Sequence, residues 1–358
     1  MSSDVPIAFY CDSREVGGAE TSLRNLLGAL AGWVDATVMG VDPDVVDWLA
    51  GGRPGSRTLV LPEITSKWHP KPIAEHIRVF RRLQPRILHV SLSDPWASHW
   101  ALLAGICTPR VRVVAVEQST WRTRSLRRRA LKRLTGRGVA ALVAVGAASA
   151  EAAASFSGVP RERIRVIHNG VPDEAVAPLA RLGPSPVIGS VGRLEEEKGF
   201  DMLLRALADV PGATAVLVGD GSRKPELAKL ADQLGVSARV VFTGWSDEPR
   251  RHLTTFDLYV LPSRVEGFPL AVVEAMLAGL PVVASTVGSV ADAVLDGETG
   301  LLVPAENPEA LASAIGTLLA DPDRMREMGN RGREVARRQF TARAMAARFE
   351  SLYEELLG

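Results

Sequence analysis

Short apolar runs alternate along this chain with longer stretches in which apolar residues recur every three or four positions. PIAFYCD (6–12) reads as a buried strand, SREVGGAE as a Gly-containing turn and TSLRNLLGAL as a helix. Further strands are predicted at ATVMGV, RILHVSL, VRVVAVE, ALVAVG and RIRVIHNG. Such alternation predicts a parallel sheet covered by helices on both faces. VPDEAVAPLARLGPSP (171–186) interrupts it with four prolines and little periodicity, so it reads as a linker.

The alternation then restarts. PVIGSVGRL, TAVLVGDG, RVVFTGW, FDLYVLPS, PVVAS and GLLVPA are predicted strands. GFDMLLRALADV, KPELAKLADQLG and PLAVVEAMLAG are predicted helices, the last stopped by Gly279 with Pro281 beyond. NPEALASAIGTLLA starts with Asn307 as N-cap and Pro308 in the first helical position. TARAMAARFESLYEELL places Met345, Phe349, Leu352 and Leu356 on one face, which must be buried. The fold class is therefore α/β, with two doubly wound Rossmann-like domains. The predicted boundaries are 1–170, a linker at 171–186, 187–340, and a C-terminal helix at 341–358. Ligands of such sheets bind at the carboxyl ends of strands, so a cleft between the domains is the expected site.

Composition changes this picture only at one point. The 358 residues suffice for two domains, and 46% hydrophobic residues suffice for their cores. A net charge of +1 argues against a nucleic-acid coat, but the average conceals a split. Residues 1–170 hold 23 Lys and Arg against 14 Asp and Glu, and the remainder holds 19 against 27. One half is thus expected to meet an anionic partner. Cys11 and Cys107 lie in apolar, strand-like contexts and are expected to be buried reduced thiols, as in a cytosolic protein. No secretory signal pattern opens the chain. The longest weakly apolar run, from Gly138, falls short of the roughly 20 residues a span needs. The expectation is a cytoplasmic protein, soluble or peripheral at the inner membrane face.

Candidate chemistry concentrates in the second half. In EGFPLAVVEAMLAG, Glu266 follows a strand and Pro269 opens a helix, so the backbone N–H groups of Leu270 and Ala271 form an anion site. Glu274 lies one turn deeper. A carboxylate there would repel a phosphate, but it can accept hydrogen bonds from hydroxyls such as those of a ribose. On spacing alone, a solvated helix residue and a loop charge explain the two glutamates equally well. In GRLEEEKGFDMLL, Arg193 and Lys198 flank an acidic turn at a strand's end and could neutralise a diphosphate. A charged loop with internal ion pairs is the alternative.

Taken together, GGAE near the N-terminus, HNGV (168–171), GRLEEEKGFDMLL, VGDG (218–221), VVFTGW, LPSRVEGFPLAVVEAMLAGLPVVAS and GETGLLVP resemble the retaining glycosyltransferases of family four, which have the GT-B fold. The resemblance covers the second half nearly end to end and is thin in the first. It implies two domains facing across a cleft, with the C-terminal helix crossing back to the first. It implies that Glu266 contacts the donor sugar and Glu274 the ribose of a nucleotide-sugar. Gly267, Phe268, Pro269, Leu270 and Ala271 would face sugar and diphosphate, with Arg193 and Lys198 stabilising the leaving group. Gly192, Asp220 and Gly244 match the wall of the nucleotide pocket, and Gly17 and Gly18 match a phosphate-facing loop of the first domain. No metal or other cofactor is expected. UDP-sugars are favoured over GDP-mannose on family habit. The family retains anomeric configuration, by front-face attack or through a covalent glycosyl–enzyme on Glu266; the sequence does not choose.

The first half departs from the pattern. Where many relatives carry a histidine, VVAVEQSTW has Glu117 and Gln118, either of which could hold acceptor or donor sugar. His89, Asp94 and His99 lie in the neighbouring HVSLSDPWASHW, where packing or turn roles compete with acceptor binding. WRTRSLRRRALKRLTGR (121–137) holds eight basic residues and no acidic one. Leu126, Ala130, Leu131 and Leu134 share a helical face. Arg127, Arg128, Arg129, Lys132 and Arg133 are therefore candidates for an anionic membrane surface or a phosphate-bearing acceptor. A core-facing helix with a solvated basic rim is the alternative. The expected partners are a nucleotide-sugar donor and a hydroxyl acceptor, lipid-linked or part of a glycan, and no nucleic acid. Competing readings are an epimerase or phosphorylase of related fold and a non-catalytic sugar-nucleotide-binding module.

Overall fold

The computed structural model describes residues 4–64, 70–93, 96–120 and 125–358. Asp94 and Trp121 lie outside the described residues. The chain divides into two compact units, residues 1–172 with 341–358, and residues 173–340.

The first unit is built on a parallel sheet of β1 (Val5–Cys11), β2 (Val34–Gly40), β3 (Arg57–Val60), β4 (Ile87–Leu92), β5 (Arg112–Glu117), β6 (Ala141–Ala144) and β7 (Ile164–Val166), in the order β3-β2-β1-β4-β5-β6-β7. Its crossovers are α1 (Gly18–Ala29), α2 (Pro43–Ala50), α3 (Pro70–Leu83), α4 (His99–Ile106), α5 (Leu126–Gly136) and α6 (Ala147–Phe156). Strands buried on both faces read as continuous apolar runs, and β4 is buried along its whole length. β3 escaped prediction because it is a short edge strand with mostly exposed side chains. RIRVIHNG pairs only over Ile164–Val166.

The second unit carries β8 (Val187–Val191), β9 (Thr214–Val218), β10 (Val240–Gly244), β11 (Leu258–Leu261), β12 (Val282–Ser285) and β13 (Gly300–Val303), in the order β10-β9-β8-β11-β12-β13. Its helices are α7 (Phe200–Ala208), α8 (Lys224–Gln233), α9 (Pro249–His252), α10 (Leu270–Ala278), α11 (Val290–Ala293), α12 (Pro308–Leu319) and α13 (Pro322–Gln339). Gly279 ends α10 at φ 79°, and Asn307 caps α12 by accepting from the Ala310 N–H at 2.8 Å. α13 has no counterpart in the predicted elements. Its Gly329 and Gly332 look like breakers, yet a Cβ on Gly329 would lie 2.1 Å from the Gly279 carbonyl oxygen, so the glycine permits close packing on the end of α10.

α14 (Ala342–Leu357) belongs to the first unit and packs on α1. Met345, Phe349 and Leu352 are buried, and Tyr353 is buried while Leu356 stays partly exposed. Cys11 is buried, but Cys107 caps the end of α4 and is exposed, against expectation. Among the described residues no helix is long and apolar enough to cross a membrane.

Candidate functional site

In an open parallel sheet, the crevice lies where the strand order reverses. In the second unit that point falls between β8 and β11. The loop after β8 carries Gly192 to Lys198, and the loop after β11 carries Ser263 to Pro269. Gly199 brings the two together. It sits at φ 64°, and a Cβ there would lie 2.1 Å from the Pro262 carbonyl oxygen. The close approach sets Lys198 Nζ 2.7 Å from Glu266 Oε1. The buried Ser263 hydroxyl donates to the same oxygen at 2.7 Å. Arg264 fixes the loop by donating to both carboxylate oxygens of Asp201 at 2.8 Å and to the Glu196 carbonyl at 2.9 Å. On the other side Gly288, at φ 53°, leaves room for the Glu266 carbonyl, which a Cβ would approach to 1.8 Å.

Beyond Glu266 the chain turns into α10. Pro269 caps it, and the N–H groups of Leu270 and Ala271 have no carbonyl one turn back within the helix. The Gly267 carbonyl accepts from the Ser289 N–H at 3.1 Å. Phe268 points inward, packed on Phe340 at 5.5 Å between ring centroids, so its side chain belongs to the core and only its backbone is at the site. Glu274 is partly buried and makes no hydrogen bond or ion pair among the described residues. Burial pushes its carboxyl up to about 7, against the pull of Arg250. A carboxylate left without donors inside a protein is poised to accept them from a ligand.

Arg193 is more exposed than Lys198 and pairs with Glu197 at 3.0 Å. The two cations are therefore unequal: Lys198 is held in place, while Arg193 must leave Glu197 to meet an anion. Gly192 donates to the Val218 carbonyl, and Gly219 pairs with Gly244, so the VGDG and TGW segments form one wall. Asp220 on that wall accepts from the Gly221 N–H and from Lys224, which hold its carboxyl below the usual range. Ser263, Arg264 and Asp201 were missed in the sequence. The first two stand beside Glu266 in LPSRVEG and could have been noticed. Nothing in the sequence announces a pairing of Asp201 with Arg264 across 63 positions.

The profile of the family described as "Glycosyl transferases group 1" matches residues 173–335, and that of "Glycosyltransferase Family 4" matches residues 16–175. The chain belongs to the family-four glycosyltransferases. It is 36% identical over 190 residues to the lipopolysaccharide core biosynthesis glycosyltransferase LpsE of Rhizobium meliloti, covering 52% of this chain and 56% of that protein. It is 38% identical over 184 residues to a GDP-mannose-dependent alpha-(1-6)-phosphatidylinositol monomannoside mannosyltransferase of Mycolicibacterium smegmatis, covering 48% of each. The matched part thus spans about half the length of these curated relatives. The fold is that of Anabaena Alr3699/HepE, solved in complex with UDP, at a TM-score of 0.84 and 23% identity over 98% of this chain and 100% of that one. Sucrose-phosphate synthase from Thermosynechococcus elongatus shares it at a TM-score of 0.81 and 24% identity, over 98% of this chain and 99% of that one.

In this family-four chain the first-unit candidates need correction. The Gly17 N–H already donates to Glu20 Oε2 at 2.9 Å, so of the glycine pair Gly18 alone has an amide to offer. His89 is a core residue, 2% exposed, between Phe9 and Phe349, with Nδ1 2.7 Å from the Tyr353 hydroxyl. Burial pushes its imidazole down to about 3, and no acceptor can reach it. Glu117 is 1% exposed, and its carboxylate is taken by Lys132 at 2.9 Å and Ser119 at 3.2 Å. The same bond removes Lys132 from any anionic surface. Gln118 remains partly exposed; its carbonyl accepts from Asn169 Nδ2 at 2.9 Å, which leaves the amide nitrogen. Arg128 lies over the Trp96 ring at 5.1 Å. Arg127 and Arg133 are exposed and Arg129 partly so, beside leucines that point outward, Leu126 at 78% and Leu134 at 64% exposure. The leucine face was read as core-facing or membrane-facing; Leu126 and Leu134 face away from the domain, while Leu131 is partly buried.

Proposed function

We propose that this protein is a retaining glycosyltransferase that moves a sugar from a nucleotide-sugar, UDP-linked by preference, to a hydroxyl acceptor. The observation that carries the reading is the Lys198–Glu266 contact at the head of α10, with Glu274, which has no hydrogen-bond partner among the described residues, one turn on. The diphosphate meets the N–H groups of Leu270 and Ala271 and the charge of Lys198, joined by Arg193. These groups stabilise charge as the bond from the anomeric carbon to the diphosphate oxygen breaks. The acceptor oxygen bonds to the same face of that carbon, and its proton passes to the departing diphosphate. Glu266 Oε1 already receives two hydrogen bonds, which weakens it as a nucleophile and favours front-face attack over a covalent intermediate. With cations and amides in these places, no metal is required.

The test is a thermal-shift panel of UDP, GDP, ADP and TDP and their sugar forms, on wild type and Lys198→Ala. Stabilisation by one nucleotide, reduced in the variant, is expected. No stabilisation of the folded wild type by any of them overturns the reading. NMR of the product anomer checks retention, and turnover undiminished by EDTA checks metal independence. A UDP-bound protein of this fold and a GDP-mannose-dependent relative bracket the choice of base that the panel makes.

The outward face of α5 supports a further part of the proposal, peripheral docking on an anionic membrane surface. Leu126 and Leu134 would enter the interface, with Arg127, Arg129 and Arg133 against the headgroups. Pelleting with anionic but not neutral vesicles at low salt, abolished by changing Leu126 and Leu134 to Gln, is expected. Absence of pelleting sinks this part alone.

A further inference from the structure

The turn that carries Lys198 is braced along its whole length. Glu196–Lys198 is a single 3₁₀ turn. The Arg264 and Val265 N–H groups donate to the Glu197 carbonyl, at 2.8 and 3.3 Å. The Arg264 guanidinium donates to the Glu196 carbonyl at 2.9 Å. Just before the turn, the Glu195 carboxylate accepts from the Ser222 N–H at 2.8 Å and from the Ser222 hydroxyl at 2.7 Å.

The guanidinium is itself gripped. Its fork meets both oxygens of Asp201 in the first turn of α7, with side chains 20% and 22% exposed. Burial works against the Asp201 carboxylate, yet the fork holds its pKa below the ordinary value. Arg264 Nε also donates to Glu306 Oε1 at 3.2 Å. Glu306 lies in the turn between β13 and α12 at φ 56°, a left-handed conformation that costs energy in a residue with a side chain. Glycine would hold that turn without strain. The turn itself has no use for a carboxylate; Arg264 does.

We propose that Arg264, gripped by Asp201 and Glu306, is a positioning residue that acts through Lys198, and that Glu306 keeps its strained backbone to complete the grip. The proposal rests on the glycosyltransferase reading above. Three parts of the chain meet at one guanidinium: the loop after β8 through Glu196, the head of α7 through Asp201, and the turn before α12 through Glu306. A planar fork satisfies them together, which an ammonium cannot do. Without it the Lys198 turn keeps its backbone bonds to residues 264 and 265 but loses its brace. The ammonium then spends less time against Glu266, and misplacing such a group by about 1 Å can cost about 100-fold in rate.

Two readouts test this on the full chain. The first needs no turnover. The chain has six lysines, so NMR of the side-chain ammonium groups is simple, and Lys198→Arg identifies the Lys198 signal. In Arg264→Gln that signal is expected to move to the position of solvated lysines or broaden away, while that of Lys132 stays. A cooperative thermal melt certifies that each variant is folded. An unmoved Lys198 signal in folded Arg264→Gln overturns the proposal.

The second readout is release of nucleoside diphosphate from the nucleotide-sugar that gives the thermal shift. Arg264→Gln and Arg264→Lys are each expected to lower kcat/KM about 10-fold to 100-fold. Placed in Lys198→Ala, Arg264→Gln is expected to cost less than about twofold more, because its target is already gone. Losses that simply multiply overturn the route through Lys198. Glu306→Gly is expected to leave the melting midpoint level or raise it while kcat/KM falls about threefold. A Glu306→Gly variant with wild-type kcat/KM overturns the part given to Glu306. Wild-type turnover with an unmoved Lys198 signal sinks this proposal and leaves the transferase reading standing. A Lys198 signal that depends on Arg264, in a protein that neither binds nor turns over any nucleotide-sugar, does the reverse.

Discussion

Two lysine–glutamate pairs, one in each unit, have the same chemistry and different exposure. Lys132–Glu117 closes at 2.9 Å with side chains 8% and 1% exposed. Lys198–Glu266 closes at 2.7 Å with 24% and 9% exposed. The first pair is sealed beneath α5 and ties that helix to the end of β5. The second lies at the head of α10, where the lysine side chain still meets solvent. A pair sealed from water cannot trade its partner for a substrate; a pair at a crevice can. Accessibility therefore separates the pair that holds the fold from the pair proposed to meet the donor.

The sharpest way to break this comparison is to cut each pair. Lys132→Met leaves the buried Glu117 with the Ser119 hydroxyl but without its counter-charge, so a loss of about 3–5 kcal/mol is expected in denaturant unfolding. Lys132→Met with Glu117→Leu is expected to recover most of it. Lys198→Ala is expected to leave the unfolding midpoint nearly unchanged and to lower kcat by about 10²–10³-fold. Equal stability losses in the two variants would erase the distinction.

Acid sharpens it further. His89 and His99 are held neutral far below their ordinary 6.5, at about 3 and about 4. Protons then bind the unfolded chain first. Stability is full above about pH 6.5 and falls as pH drops toward those values, by about 1.4 kcal/mol per pH unit for each group. Unfolding curves between pH 7 and 4 check this, and His99→Gln should reduce the slope. In the second unit the sign reverses. Glu274 is raised to about 7, so its contribution to stability is complete below its ordinary 4.5 and is lost as pH rises through 7. If Glu274 holds the ribose as proposed, nucleotide affinity runs the other way, because the hydroxyls need the ionised carboxylate. Titration calorimetry is expected to show affinity rising roughly tenfold from pH 6 to 8, and a flat profile in Glu274→Gln. The smallest effect is expected at Leu126 and Leu134, where Gln should change stability by no more than about 0.5 kcal/mol.

The second unit was nearly transparent in the sequence because its site depends on backbone geometry. Gly199 and Gly279 must be glycine where they stand, and such positions mark a loop directly. The first unit hid more because its decisive interactions join residues far apart. His89 looked available until Tyr353 reached it across 264 positions. Lys132 looked like one cation among eight, although it turns inward to Glu117 while Leu126 and Leu134 of its helix turn outward. Periodicity alone would have buried the leucines; the desolvated carboxylate at the end of β5 reversed the orientation.

α14 completes the first unit although the whole second unit precedes it in the chain. During synthesis, residues 173–340 leave the ribosome with every strand of their sheet in hand. Residues 1–172 emerge earlier but must wait for Met345, Phe349 and Tyr353 before the apolar face of α1 and the ring of His89 are covered. Across that interval the nascent first unit presents a hydrophobic face that chaperones can bind. A fragment ending at residue 172 would keep that face uncovered for good.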